Sequence, residues 1–166
     1  MTTNTTVTAA ASGADSPSPV DLLGIVDALY RFGAGQDLDD RGLFKSAFAK
    51  DAVLDFVQPA ERFGLTLQPF VGRDDIAETV FGTLALLRTT HTVTNPRAVV
   101  DGDRAKLFAL VEAQHVPNDD ASRHLLLKNI YGVELVRDAD RWLITHLKID
   151  NVWYSGDPAV LFPSAA

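Results

Sequence analysis

Apolar residues recur at steps of three and four over residues 20–32, at Leu22, Leu23, Ile25, Val26, Leu29, Tyr30 and Phe32. That spacing predicts a helix with a broad buried stripe. Prolines in Ser16-Pro17-Ser18-Pro19 halt regular structure before it, and Gly33 and Gly35 weaken its end. A second short helix is expected over residues 41–48, capped by Asp39 or Asp40 and turning Leu43, Phe44 and Phe48 inward. Residues 52–57 read as a strand and 59–69 as a loop, with a short extended piece at 63–67. Residues 74–87 read as a third helix, with Ile76, Val80, Phe81, Leu84 and Leu87 on one side.

Beyond Arg88 the period changes from helical to alternating. Strands are expected over 91–100, 104–116, 124–136 and 141–154. Asp101-Gly102-Asp103, Asn118-Asp119-Asp120 and Asp138-Ala139-Asp140 supply the turns. Helices followed by four long antiparallel strands make an α+β domain. A twisted sheet of that size curls, and only the early helices are available to cover its concave face. The expected shape is a cone-shaped half-barrel with one central pocket. Residues 1–19 read as a disordered leader, 20–155 as the domain and 156–166 as a tail.

Alternation also assigns faces. Ala105, Leu107, Ala109, Val111, Ala113 and His115 share an inward face, as do Leu125, Leu127, Asn129, Tyr131, Val133 and Leu135. A mostly apolar surface thus carries an imidazole, a carboxamide and a phenol, and buried polar groups require partners. The turn at Gly102 lies midway between His91 and His115, so antiparallel pairing makes them neighbours. His124 and His146 fall on the outer face. Phe108, Leu110 and Ile144 fall there too and point to a homodimer or homotrimer.

Composition narrows the chemistry. The 166 residues hold 15 Lys plus Arg against 22 Asp plus Glu, a net charge of −7, which argues against nucleic acid or an anionic membrane as the partner. Residues 1–19 lack the basic and apolar regions of a targeting segment, and no run approaches the roughly 18 apolar residues of a membrane helix. A cytoplasmic location is the resulting expectation. No cysteine is present, which removes thiolate, disulfide and iron–sulfur chemistry. Phosphate-binding and dinucleotide glycine patterns are absent, and no serine has a nucleophile-elbow context.

Several motifs in order resemble one family. They are the opening helix leading to Asp37, then Phe48-Ala-Lys-Asp-Ala52, then His91-Thr-Val-Thr-Asn95. Val99-Val-Asp-Gly102-Asp-Arg-Ala105, His115 and the closing Arg141-Trp-Leu-Ile-Thr-His-Leu-Lys-Ile-Asp150 follow. Together they resemble the nuclear transport factor 2-like superfamily, in its SnoaL-like branch that includes scytalone dehydratase, over roughly residues 20–155. The resemblance implies a catalytic Asp–His pair at Asp37 and His91 and a second pocket histidine at His115. It implies a polar pair at Asn129 and Tyr131. Two tyrosines that hold the reacting water in scytalone dehydratase fall on Gln36 and Phe56, which argues against scytalone itself.

Such a set supports elimination. Imidazole is a suitable general base near neutral pH, and Asp37 would fix the His91 tautomer. His115 would donate to a leaving hydroxyl or polarise a carbonyl, while Asn129 and Tyr131 would hold an enolate oxygen. An apolar lining of Tyr30, Phe56, Phe81, Val111, Val133 and Trp153 suits a small hydrophobic or aromatic substrate, with no cofactor. The metal alternative lacks H-x-x-E or H-x-D spacing, and the resemblance points to metal-free sites. Asp37 also has a plainer reading as a helix cap, in competition with Asp39 and Asp40. The leading function is a cofactor-independent dehydratase. The alternatives are an isomerase or polyketide cyclase using the same pair, and a non-catalytic ligand-binding or assembly module.

Overall fold

A computed structural model describes residues 16–162; most of the expected leader and the last four residues of the expected tail lie outside it. In chain order the elements are α1 (Pro19–Asp37), α2 (Arg41–Ser46), β1 (Phe48–Asp55), α3 (Val57–Arg62), β2 (Phe70–Val71) and α4 (Arg73–Leu84). The long strands follow: β3 (Leu87–Asp101), β4 (Arg104–Pro117), β5 (Leu125–Asp138) and β6 (Arg141–Gly156). A 3₁₀ turn at Pro158–Val160 closes the described chain. Among the described residues no helix is long and apolar enough to cross a membrane.

The four expected long strands pair as an antiparallel meander. β1 then adds to β6 in parallel and β2 to β1, giving the order β2-β1-β6-β5-β4-β3 in one curved, unclosed sheet. Helices α1 and α4 cover the concave face. Ile25, Leu29 and Phe32 of α1 pack with Phe44, Phe48 and Phe81 against Leu107, Val133 and Leu147. Arg31, buried on the same helix, donates to the carbonyls of Ser46 and Trp142 and pairs with Asp27, which ties α1 to both α2 and β6.

α1 runs through Gly33 and Gly35 to Asp37 instead of weakening there. These glycines serve close approach. A Cβ at Gly33 would lie 3.0 Å from the Cβ of His91, and one at Gly35 would lie 2.6 Å from the Phe44 backbone nitrogen, Cα and Cβ. Backbone cannot swing aside, so Gly35→Ala forces α1 and α2 apart. We expect a loss of about 1–3 kcal/mol, measured as a lowered denaturation midpoint. An unchanged midpoint would mean that the two helices separate freely.

Two bulges in β6 correct the simple alternation. Glu134 faces His146 but Leu135 faces Ile144, so Thr145 is an extra residue. Ile144 is therefore turned into the core at 0% exposure, whereas Phe108 (42%) and Leu110 (36%) do stand outward. Lys128 faces Trp153 but Asn129 faces Asn151, which makes Val152 the second extra residue. Trp153 accordingly swings to the outer face, where Lys128 sits 5.4 Å from its ring.

Other segments also depart from expectation. Residues 57–62 form a helix where a loop was expected, and the extended piece is Phe70–Val71. β1 begins at Phe48, so α2 stops at Ser46. The stretch after Gly156 folds back: Phe162 is buried and stacks on Phe63, with ring centres 4.5 Å apart, and on Phe56.

Candidate active site

The concave face and the covering helices enclose a cavity of about 390 Å³, within the range of small-molecule pockets. Phe32, Leu54, Phe56, Val80, Leu127 and Ile149 supply apolar walls. Gln36, His91, His115, Asn129 and Tyr131, with Thr79 and Thr83 of α4, supply the polar groups of the lining. Among the described residues no lysine, arginine, aspartate or glutamate lines this cavity.

Asp37 is the last residue of α1. A carboxylate there opposes the helix dipole and needs compensating donors. It has three. Oδ1 accepts from the Thr89 hydroxyl at 2.8 Å and lies 2.7 Å from Nδ1 of His91; Oδ2 accepts from the His91 backbone N–H at 2.8 Å. The cap for α2 is Asp40, which accepts from the Leu43 N–H, so Asp37 is not occupied as a helix cap. Burial alone would raise the Asp37 pKa. The hydrogen bonds and charge of His91, its backbone N–H and the Thr89 hydroxyl together outweigh burial and hold the carboxyl below its ordinary value. An ionised carboxylate can only accept, so Nδ1 of His91 carries a proton, and in the neutral ring Nε2 holds the lone pair.

β3 is an edge strand, and its N–H at His91 is turned to Asp37 and not to β4. The register sets His91 opposite Ala113 and Thr89 opposite His115. The two imidazoles are neighbours as expected, with ring centres 6.5 Å apart. Asp37 itself lines a second, more polar hollow with Asp39, Arg41, Arg88 and Asn118. The pair thus joins the apolar cavity to a polar groove.

His115 is buried at the cavity end of β4, and Nδ1 lies 3.4 Å from the Leu125 carbonyl. A carbonyl only accepts, so this contact puts the proton on Nδ1 and leaves Nε2 an acceptor. Burial, with the neighbouring His91 ring next, pushes the imidazole down to about 4. Linkage follows. The unfolded chain takes up this proton near pH 6.5 and the folded chain only near 4, so stability falls as pH drops through that window. Relative to His115→Asn, the native protein should lose about 3 kcal/mol more between pH 7 and 4. Parallel stability–pH curves from denaturant titration would contradict this.

Asn129 and Tyr131 both reach the cavity from β5. Burial pushes the Tyr131 phenol up, and a hydrogen bond from the Asn129 side chain offsets part of that. Phe56 lines the cavity as expected. Tyr30 does not: it is 52% exposed on the outer side of α1, opposite the Leu29–Phe32 stripe. Trp153, 48% exposed, is outside because of the Val152 bulge. Phe81, Val111 and Val133 are buried beneath the cavity without lining it.

Several site residues were not picked out from sequence. Thr89 shares the face of His91 two residues on and could have been found by that parity. Leu65, Leu67, Leu161 and Phe162 line the cavity from a loop and from the segment after β6. Leu65 and Leu67 alternate within the extended piece expected at 63–67, whereas Leu161 and Phe162 sit in a context with no periodicity to signal their place.

Residues 20–148 match the SnoaL-like domain family. The chain belongs to the SnoaL-like family. A relative of this SnoaL-like domain, "Terrestric acid biosynthesis cluster protein E" from Penicillium crustosum, is 33% identical over 152 residues, covering 87% of this chain and 92% of the relative. Two solved structures from Novosphingobium aromaticivorans share the fold. One is named as an aromatic ring hydroxylase (TM-score 0.74, 24% identity, 90% of this chain and 100% of that one). The other is named as a scytalone dehydratase (TM-score 0.71, 16% identity, 83% and 88%).

Proposed function

We propose that this protein is a cofactor-independent lyase that removes water from a small, neutral, hydrophobic or aromatic hydroxy-carbonyl compound. The observation that carries this reading is the 2.7 Å contact between Asp37 and His91, with the imidazole opening on an apolar cavity. The absence of charged residues from the lining favours a neutral substrate over a carboxylate or phosphate. The relative from a biosynthesis cluster supports a place in specialised metabolism.

In this reading Nε2 of His91 takes the proton on the carbon next to the substrate carbonyl. The electron pair moves onto the carbonyl oxygen, which Tyr131 holds as an enolate. His115 accepts a hydrogen bond from the substrate hydroxyl and so aims it toward His91. The enolate then collapses, the carbon–oxygen bond breaks, and His91 returns its proton to the departing hydroxide. Water and a conjugated carbonyl compound leave, and His91 is neutral again. Asp37 stays ionised throughout and stabilises the transient imidazolium.

The test is incubation in deuterium oxide with a panel of neutral cyclic β-hydroxy ketones. Loss of water with a new conjugated-enone absorbance supports the lyase. Deuterium uptake at the α-carbon without loss of water would replace it with an isomerase or cyclase. Neither change, in a panel that includes bound compounds, would leave a binding module.

A further inference from the structure

Thr89 stands two residues before His91 on the same face of β3, opposite His115 of β4. It is buried and borders the polar hollow behind the pair. Its hydroxyl donates to Oδ1 of Asp37 at 2.8 Å. The same oxygen faces Nδ1 of His91 at 2.7 Å. An ionised carboxylate only accepts, so the threonine hydrogen is committed to Asp37. Two of the three contacts to Asp37 come from His91 itself, one from its ring and one from its backbone. Among the described residues Thr89 supplies the only donor to Asp37 that is independent of His91.

The other charged and titratable groups around the carboxylate do not replace that donor. Across the polar hollow, Arg41 is paired with Glu78 at 3.0 Å, Arg88 donates to the Asn118 carbonyl at 3.1 Å, and Asp39 adds a like charge. On the cavity side stand Tyr131 and His115, whose ring centre is 6.5 Å from that of His91. The hydroxyl therefore has two effects. Threonine's branched Cβ restricts χ1, so the hydroxyl holds the carboxylate in place whether or not the ring is protonated. A donor on Oδ1 also takes up part of the negative charge that would otherwise stabilise an imidazolium. The pair then binds its next proton less readily.

We propose that Thr89 is a positioning residue of the Asp37–His91 pair: its hydroxyl anchors the carboxylate independently of the ring and, by sharing Oδ1 with Nδ1, keeps Nε2 a free base to lower pH. This role deepens the lyase reading and rests on it for the use to which that base is put.

Nitrogen NMR of the His91 ring, followed across pH in the full chain without substrate, reads when the pair takes up that proton. Thr89→Val keeps the side-chain shape and removes the hydroxyl. Its midpoint should lie above the native one by about half a pH unit or more. Thr89→Ser keeps the donor and should return the midpoint most of the way to the native value. Thr89→Ala should shift it in the same direction as valine, and keeps the test open if the valine variant folds poorly.

An unchanged or lowered midpoint in folded Thr89→Val or Thr89→Ala would overturn the proposal. So would a shift in Thr89→Ser as large as that in Thr89→Val, which would leave Thr89 a packing residue only. Failure of the lyase reading looks different: the midpoints would move as described while no hydroxy ketone turns over.

Discussion

His91→Ala lowers kcat by at least about 10²-fold, the usual cost of losing a positioned general base. KM should change little, because the imidazole acts on a proton that moves only in the transition state. The fold should survive. The His91 backbone N–H still donates to Asp37, the Thr89 hydroxyl still reaches the same carboxylate, and alanine keeps the Cβ against which Gly33 packs. The side-chain losses are one hydrogen bond and the edge contacts with Phe32 at 6.2 Å and His115 at 6.5 Å. Added imidazole should restore part of the rate, because the truncated side chain leaves room for it beside the cavity. Turnover near the native level would remove His91 from the chemistry and with it the reading of the whole site.

The polar residues His115, Asn129 and Tyr131 were legible because β4 and β5 alternate strictly along their pairing. Reading Gly102 as a hairpin brings His91 and His115 together to within one residue, the difference being an extra residue of β3 between Thr94 and Arg97, and the parity of β5 gives Asn129 and Tyr131. The errors arise where alternation is interrupted. One extra residue at Thr145 turns Ile144 inward, and another at Val152 turns Trp153 outward. A bulge is set by tertiary pairing and leaves no mark in local composition. Tyr30 failed for a related reason: the apolar stripe of α1 is wide enough to run past the buried face, so its edge residues are ambiguous. Phe162 could not be found because its burial depends on Phe56 and Phe63, far away in sequence. The glycines of α1 carried a signal that pointed to the wrong cause, a helix end instead of a close contact.

Asp37→Asn should abolish most activity, on the order of 10³-fold or more, while costing only about 1–3 kcal/mol of stability. The reason is the tautomer. The native carboxylate accepts at both oxygens, so Nδ1 of His91 must carry the hydrogen and Nε2 is free as a base. Asparagine offers one acceptor. If its oxygen keeps the His91 backbone N–H, its NH₂ faces Nδ1 and donates to it. The ring hydrogen then moves to Nε2, and the base is lost although every group remains in place. Thr89 tolerates the change, since its hydroxyl can accept from the same NH₂ in place of donating. The carboxylate's own contribution to stability also has a sign. Its folded pKa lies below the ordinary 3.8, so that contribution is complete above the ordinary value and is lost as pH falls through the folded one. The variant should lack that acid-side loss. Nitrogen NMR of the His91 ring reads the tautomer, and denaturant titration reads the stability. A variant that is folded, holds the Nε2–H tautomer and is inactive supports the assignment. A variant that is mainly unfolded would make Asp37 a structural tie between α1 and the free edge of β3, with no part in proton transfer.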